Sequence, residues 1–506
     1  MNVLILGAGF MQKPAIESAK SLGYNTIVFD GNNAACCKSL CDEFYHIDLK
    51  NTDAIVKKAV ELHANSPLQA VFTAGTDFSF AVASVAMACH LPSHTVDAAK
   101  NASDKILMRS CFSKHGVPSP QFIEVSKNTA QGELDGFVEK QGYPIVVKPC
   151  DNMGGRGCRL VRTQDELQSA LDDAIQQSKT SRAIVEQYMQ GPEFSIDALV
   201  AHNEVTITGF ADRHIFFPPY FIEMGHSMPT NIDAENYSAL IKTFVAGIKA
   251  LGLTHGAAKA DIKLTKNGPM IGEIAGRLSG GYMSGWTFPL ASGLNLTKQA
   301  LLLALGKEPI ELQEKRTECK NLSTHFKVFD YTCKQHCIER AWLSIPGKII
   351  RSTVTENSEN LILPRLFPND NANFPTNNVE KAGNIIIQSD SREKAEQSVH
   401  NFMKTVCLEL ADGAITSEFL SMPLQTEYPP SAFTLPTHIY NQLEQNANLI
   451  SDSLPEFLQE YAHIPDWNGI TLQESFDIVQ SIAPGKKIKI ISLIRGGIQG
   501  ALFSKI

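Results

Sequence analysis

The fold of this chain is decided by two strand-like segments, AKADIKL (258–264) and MIGEI (270–274), joined by TKNGP (265–269). An Asn-Gly step between strand patterns is the strongest short hairpin signal. A three-residue loop centred on Asn267 would place Asp261 directly opposite Glu273, with Cβ atoms about 4.5–5.5 Å apart. Like charges so close repel, and a divalent cation such as Mg²⁺ would relieve the repulsion. A loop of even length, or acids that splay into water, would leave no shared site.

A second segment, PIVVKP (144–149), is an apolar strand that ends on Lys148. It is followed by NMGGRGC (152–158), which contains Gly154, Gly155 and Gly157. An ammonium beside a glycine loop suits phosphate, because the bare N–H groups of the loop can surround anionic oxygens. An ordinary hairpin turn would explain the glycines equally well.

A third segment, AIVEQYM (183–189), reads as a strand and precedes GPEFSID (191–197). A strand, a short polar linker and the acids Glu186 and Glu193 would serve an adenosine, with backbone groups on the adenine edge and a carboxylate on the ribose. Either acid taken alone could equally be a solvated surface residue. Farther along the chain, Arg277 follows Glu273 by four residues, so we expect its charge near a transferring phosphoryl group.

The amino-terminal segments VLILGAG, NTIVFD and AVFTAG alternate with a helical pattern, which predicts a parallel α/β layer. Gly7, Gly9 and Asp30 imitate a dinucleotide fingerprint, but Gln12 stands where the third glycine belongs. A tight turn alone explains both glycines, so we favour a structural or substrate-edge role over NAD binding.

The length of 506 residues predicts three or four domains. A net charge of −8 with a pI near 6.0 argues against nucleic acid as a partner, and no apolar run is long enough for a membrane span. With no secretory signal pattern, we expect a cytoplasmic protein whose eleven cysteines are reduced thiols.

In their order and spacing these segments resemble the ATP-grasp superfamily, and most closely its carboxylate–amine ligases such as the L-amino-acid ligases. The likeness also rests on SDK (103–105) and GVPSP (116–120), and it covers residues 1–410. It implies ATP and Mg²⁺ (or Mn²⁺) as cofactors, with the following assignments. Lys105 and Lys148 contact the phosphates with Gly154, Gly155 and Gly157; Glu186, Gln187, Tyr188 and Met189 form the adenine hinge; Glu193 holds the ribose; Asp261 and Glu273 bind the metal; Arg277 and Lys148 are catalytic.

Two positions depart from the family pattern. Ala275 replaces an asparagine that often completes the metal ligands, and Asp261 stands where glutamate is commoner. The segment 212–229 resembles the acceptor pocket of amino-acid ligases, where Glu223 would take an ammonium and Arg213 or His226 a carboxylate. Ser279 and Gly280 are further expected substrate contacts.

The resemblance implies a multidomain α/β and α+β fold. It comprises a Rossmann-like domain (1–100), an ATP-grasp domain (101–310) with a small lid at about 115–190, a C-terminal α+β region (311–410) and an extra module (411–506). The implied activity activates a carboxylate as an acyl phosphate and joins it to an amine, releasing ADP and phosphate. Carboxylase-like chemistry through carboxyphosphate and a non-catalytic nucleotide-binding module remain alternatives, and a homodimer is expected.

Overall fold

The computed structural model describes residues 1–322, 324–354 and 361–503. The chain divides into two compact units. The first comprises Met1–Met153, Val161–Arg213 and His226–Cys337, and the second comprises Gly154–Leu160, His214–Gly225 and the chain from Ile338 onward. The predicted mixture of α/β and α+β architecture is confirmed. None of the described helices combines the length and apolar composition that crossing a membrane would require.

The first unit begins with a four-stranded parallel sheet, as predicted. Its order is β3-β2-β1-β4, and the buried side chains of Leu4, Phe29 and Val71 contribute to its core. The elements are β1 (Asn2–Leu6), α1 (Lys13–Ser21), β2 (Asn25–Asp30), β3 (Glu43–His46), α2 (Thr52–Asn65), β4 (Leu68–Phe72) and α3 (Ser79–Ala88).

Two helices follow, α4 (Val96–Ser103) and α5 (Lys105–His115). Asp104 caps α5, because its Oδ1 accepts from the backbone N–H of Ile106 at 2.9 Å. The helix ends at Gly116, whose φ of +67° is the left-handed conformation that glycine adopts without steric cost. The SDK and GVP motifs therefore mark the two ends of one helix.

A small antiparallel sheet carries the second predicted motif. Strand β8 lies between β5 and β6, so the PIVVKP and AIVEQ segments are direct neighbours. The elements are β5 (Phe122–Val125), α6 (Gln131–Gln141), β6 (Ile145–Pro149), β7 (Arg159–Val161), α7 (Gln164–Gln177) and β8 (Ala183–Gln187).

The largest sheet of the first unit is antiparallel in the order β13-β12-β9-β10, with β15 parallel beside β10. Helix α8 packs against β12 and β13, burying Phe244 and Ile248. The elements are β9 (Glu193–Ala201), β10 (Glu204–Phe216), β11 (Ile222–Met228), α8 (Ala234–Leu251), β12 (Gly256–Thr265), β13 (Gly268–Ala275), a π-helix (Met283–Thr287), α9 (Phe288–Ser292), α10 (Leu296–Ala304), α11 (Ile310–Lys315), β14 (Thr317–Glu318) and β15 (Lys327–Asp330).

The second unit contains the strand order β16-β20-β18 and a three-stranded sheet β19-β17-β21. The pattern of NIIIQSDSREKAEQSVHNFMKTV (384–406) predicts a strand followed by a helix, and these are present as Gly383–Ser389 and Arg392–Met403. The elements are β16 (His336–Trp342), β17 (Gly347–Ser352), β18 (Leu361–Pro364), β19 (Asn371–Ala372), β20 (Gly383–Ser389), α12 (Arg392–Met403), β21 (Leu408–Leu410), α13 (Ala414–Ser421), α14 (Thr437–Gln445), β22 (Ile450–Ser451), α15 (Leu472–Ile482), β23 (Ile488–Lys489) and α16 (Ile490–Phe503).

The segment KIKIISLI (487–494) has a strand-like pattern, but the strand that this pattern predicts is largely wrong. Only Ile488–Lys489 is a strand, and α16 begins at Ile490. The buried positions Ile490, Leu493 and Ile494 have the spacing of a helical face, and a kink at Gly497, whose φ is +61°, interrupts α16 after them. Residues on both sides of position 410 share one core, in which Trp342 and Ile385 join Phe433 and Ile494. The four-domain division stays a prediction.

Candidate active site

Helix α5 presents two cations, Lys105 and Arg109, on one face, because residues four apart lie one turn above each other. Lys105 is buried, and its Nζ donates to the carbonyl oxygen of Asn152 at 2.9 Å. The same Nζ lies 3.8 Å from Oε2 of Glu273. The predicted phosphate-binding lysine therefore lies beside one of the predicted metal carboxylates.

Glu186 holds the strand-end lysine in place. Its Oε2 lies 2.6 Å from Nζ of Lys148, and its Oε1 accepts from Nε of Arg109 at 2.8 Å. Burial raises the pKa of Glu186, but the adjacent cations of Arg109 and Lys148 outweigh burial and lower it. The Glu186 side chain thus forms a buried ion pair network, while its proposed place in the adenine hinge concerns the backbone and stays a prediction.

The hairpin pairs Asp261 with Glu273, but not through the predicted loop. Thr265 pairs with Gly268, so the loop has two residues rather than three. A β-bulge at Gly272 restores the register, since Ile262 pairs with Ile271 and Asp261 with Glu273. One extra residue in one strand shifts every later pair by one position. The Gly272 carbonyl accepts from Nη2 of Arg109 at 2.5 Å, which anchors the bulge to α5.

Both carboxylates of the hairpin are held ionised. Asp261 accepts from Oγ of Ser195 at 2.7 Å, contacts Nζ of Lys259, and lies 3.3 Å from Nη1 of Arg213. Burial raises its pKa, but the charges of Arg213 and Lys259 lower it to about 2. The pKa of Glu273 is also lowered, since Lys105 and Lys259 outweigh burial.

Two ionised carboxylates fit Mg²⁺, which proteins commonly hold through one or two carboxylates together with substrate phosphates. Ala275 is buried and offers no side-chain oxygen. Among the described residues, no group of three or more His, Cys, Asp or Glu side chains is arranged to hold a metal. A cation at Asp261 and Glu273 would therefore take its remaining oxygens from phosphate and water.

Alternate positions of β9 and β12 form a polar surface on the sheet. The register pairs Lys259 with Asp197, Asp261 with Ser195 and Lys263 with Glu193. Side chains two residues apart share a face, so all six groups lie on one side. Sequence reasoning missed Lys259, Lys263, Ser195 and Asp197, although the period of two in KADIK and EFSID was a usable signal.

Glu193 and Arg213, predicted to bind ribose and substrate, contact each other across β9 and β10. Lys263 Nζ lies 3.4 Å from Oε2 of Glu193 and 5.5 Å from the ring centre of Tyr188. Around this surface the cations outnumber the carboxylates, which favours a polyanionic ligand. The cations are Lys105, Arg109, Lys148, Arg213, Lys259, Lys263 and Arg277; the carboxylates are Glu186, Glu193, Asp197, Asp261 and Glu273.

Asp197 fixes the segment that follows the hairpin. It accepts from the backbone N–H of Ser279 at 3.1 Å and from its hydroxyl. Burial raises the pKa of Asp197 to about 6, against the hydrogen bonds from Ser279.

Arg277 Nη1 donates to the Leu278 carbonyl at 3.1 Å. A Cβ on Gly280 would lie 2.9 Å from the Gly75 carbonyl, so this position packs closely against the turn after β4.

The remaining predicted residues lie elsewhere in the first unit or in the second. The backbone N–H of Gln187 donates to the carbonyl of Gln121 at 2.9 Å, and His226 is buried. In the first unit, the Cε of Met189 lies 3.5 Å from where a Cβ on Gly272 would stand.

Gly154, Gly155 and Gly157 belong to the second unit. Their φ values are +73°, +75° and +68°, which residues other than glycine rarely adopt. Glu223 is half-buried in the second unit.

The amino-terminal glycine turn is filled by Gln12. Its Oε1 accepts from the N–H of Gly9 at 3.1 Å, and its Nε2 donates to the Ala74 carbonyl at 2.6 Å. Asp30 accepts from the N–H of Ala8 at 2.6 Å. Gln12 and Asp30, two positions that a dinucleotide fingerprint depends on, therefore both bond the backbone of the turn or of its neighbours. This supports a structural role for the turn.

Gly191 allows the chain to pass beneath the hairpin, because a Cβ there would lie 2.0 Å from the Leu264 carbonyl oxygen. Its φ of +146° is also unfavourable for other residues. We expect Gly191→Ala to lower the free energy of unfolding by at least about 2 kcal/mol, measured by urea denaturation. Gly136→Ala, at an open helical position, is the control and should raise stability by roughly 0.5–1 kcal/mol. Equal effects would contradict the close approach.

Comparison with known proteins is consistent with this geometry. A sequence model of the ATP-grasp domain family matches residues 141–285. The chain is 25% identical over 270 residues to the protein y4rH of Sinorhizobium fredii, covering 53% of this chain and 55% of that protein. It is 22% identical over 331 residues to carnosine synthase 1 of Homo sapiens, covering 61% of this chain and 40% of that protein. The matches thus span about half the length of these curated relatives.

The fold is also similar to that of solved enzymes. The L-amino acid ligase from Bacillus licheniformis superposes with a TM-score of 0.66 at 19% identity, covering 81% of this chain and 99% of that one. Phosphoribosylglycinamide synthetase from Anaerococcus prevotii gives a TM-score of 0.61 at 21% identity, with the same coverage. At this identity the likeness concerns the fold alone. The resemblance inferred from the sequence is confirmed at residues 141–285, which match the ATP-grasp domain family.

Proposed function

We propose that this protein is an ATP-dependent carboxylate–amine ligase, which forms an acyl phosphate and joins the acyl group to an amine with release of ADP and phosphate. The proposal is carried by one observation: Lys148, fixed by Glu186, and Lys105, beside Glu273, project from neighbouring elements of the first unit. Two ammonium groups oriented by carboxylates, the buried Glu186 and the half-buried Glu273, suit the phosphates of a triphosphate.

In the proposed mechanism, Lys105 and Lys148 bind and orient the ATP phosphates while the substrate carboxylate attacks the terminal phosphorus. Asp261 and Glu273 would hold Mg²⁺, which when bound neutralises charge on the phosphate oxygens. Arg277 is assigned to the charge that develops during transfer. The loop containing Gly154, Gly155 and Gly157 is assigned to the phosphates and to excluding water from the acyl phosphate.

We infer that the acid is an amino acid or a small organic acid and that the nucleophile is an amine. The similarity to an L-amino acid ligase and to carnosine synthase 1 favours amino-acid substrates. Glu223 is assigned to a substrate ammonium, Arg213 or His226 to a carboxylate, and Ser279 and Gly280 to further substrate contacts. The homodimer and the cytoplasmic location stay predictions.

The test is coupled ADP release with Mg·ATP over a panel of amino-acid pairs, with the amide product identified by mass spectrometry. We expect one acid–amine combination to release ADP and phosphate in equal amounts with the amide. Bicarbonate without an organic acid is the parallel arm, and ADP release there would favour the carboxylase-like alternative. Nucleotide binding with no turnover on any combination would overturn the ligase proposal.

A further inference from the structure

Within the second unit, one side chain connects the glycine loop to the predicted acceptor segment. The backbone N–H of Asn378 donates to the Gly154 carbonyl at 3.0 Å. Its Oδ1 accepts from the backbone N–H of Glu223 at 2.7 Å. The buried Lys381 donates from Nζ to the Glu223 carbonyl at 2.8 Å. Both backbone polar groups of Glu223 are thus held by residues 378 and 381.

The same two segments also contact each other directly. Leu160, which follows the loop, donates its N–H to the Pro219 carbonyl at 2.8 Å. The Arg159 guanidinium lies 5.3 Å from the ring centre of Tyr220, whose ring lies 4.6 Å from that of Tyr428. The acceptor segment therefore packs between the strand after the loop and the C-terminal residues.

The backbone of the acceptor segment is strained where these contacts converge. Phe217 and Phe221 have φ of +61° and +52°, which bulky side chains rarely adopt. Such conformations persist only where surrounding contacts hold them, and they concentrate at ligand sites. Loss of one holding contact should therefore shift the position of Glu223 rather than unfold the unit.

We propose that Asn378 is a positioning residue that couples nucleotide binding at the glycine loop to the placement of Glu223. The inference rests on the proposed function, in which the loop contacts the phosphates and Glu223 takes an ammonium. Nucleotide bound at the loop fixes the position of Gly154. The bond from the Asn378 N–H to the Gly154 carbonyl then fixes Asn378, and its side-chain Oδ1 in turn holds the backbone N–H of Glu223. Such a coupling is reciprocal, so an acceptor at Glu223 tightens nucleotide binding by the same factor.

Hydrogen–deuterium exchange of the full chain, with Mg·ADP as the probe, tests this coupling. In the unmodified protein we expect Mg·ADP to slow exchange in peptides covering 154–160 and 214–225. In Asn378→Ala the slowing at 154–160 should remain, and that at 214–225 should be lost. Asn378→Asp retains the accepting oxygen and should behave as the unmodified protein. Asn373→Ala, at an exposed position five residues earlier, is the control and should change neither response.

The outcomes separate this inference from the proposed ligase activity. Slowing at 214–225 that survives in Asn378→Ala overturns the coupling. Slowing at 154–160 alone in the unmodified protein also overturns it, while ADP release would still support the ligase. No response in either peptide, together with no ADP release, overturns both. Should Asn378→Ala fail to fold by circular dichroism, Asn378→Leu removes the accepting oxygen at similar side-chain size and is judged by the same two peptides.

Discussion

Replacing Glu273 with glutamine is expected to reduce Mg²⁺-dependent ADP release by at least about 100-fold, since even groups that only support a metal ligand contribute 10–100-fold. The substitution keeps the size of the side chain and its bulged strand, but it removes one of the two ionised carboxylates facing each other on the hairpin. It also removes the negative charge that lies 3.8 Å from Nζ of Lys105.

Nucleotide binding separates a metal role for Glu273 from a general loss of structure. By calorimetry, the affinity of the unmodified protein for ADP should rise on adding Mg²⁺, whereas that of Glu273→Gln should respond little. Glu139→Gln, at an exposed position on α6, should leave both the activity and the Mg²⁺ response unchanged. A full Mg²⁺ response in Glu273→Gln would show that Glu273 is not a metal ligand.

The hairpin shows how far the sequence determines this site. The Asn-Gly step located the turn, and the alternation of apolar residues located both strands. The number of loop residues was wrong, and the facing carboxylates arise only because Gly272 is bulged. A bulge is a response to neighbours, here the Arg109 guanidinium and the strand partner, so one strand's pattern does not reveal it.

The buried cations were harder to predict than the acids. Arg109 lies one turn after Lys105 in α5, and a helical pattern alone makes an arginine there a solvated residue. Its partners Glu186 and Gly272 lie 77 and 163 residues farther along the chain, a separation that local patterns do not encode. At KIKIISLI the difficulty is local, because Ile488 and Ile490 alternate as in a strand while Ile490, Leu493 and Ile494 have the spacing of a helix.

The second large effect is expected at Arg109. Its side chain is fully buried, it donates to Glu186 and to the Gly272 carbonyl, and it lies in the same helix as Lys105. Removing Arg109 leaves the buried Glu186 with Lys148 as its remaining partner and the Gly272 carbonyl without this donor, and breaking a buried ion pair typically costs about 3–5 kcal/mol. We therefore expect Arg109→Met to lower the free energy of unfolding by about that amount, measured by urea denaturation. Arg109→Lys should restore only part, because an ammonium cannot reproduce the guanidinium fork.

A double-mutant cycle with Glu186→Gln separates the stability effect of Arg109 from its effect on the site. Both substitutions disrupt the same ion pair, so their effects should overlap, and the double variant should be destabilised by roughly 1–3 kcal/mol less than the sum of the two single variants. Its ADP release should nevertheless stay low, because Lys148 has lost the carboxylate 2.6 Å from its Nζ and the Gly272 bulge has lost its anchor. ADP release at the unmodified level in folded Arg109→Met would mean that Arg109 acts only on folding. Variants that stay folded but release little ADP would instead show that Arg109 positions the site. It would act through Glu186 on Lys148 and through Gly272 on the hairpin carboxylates.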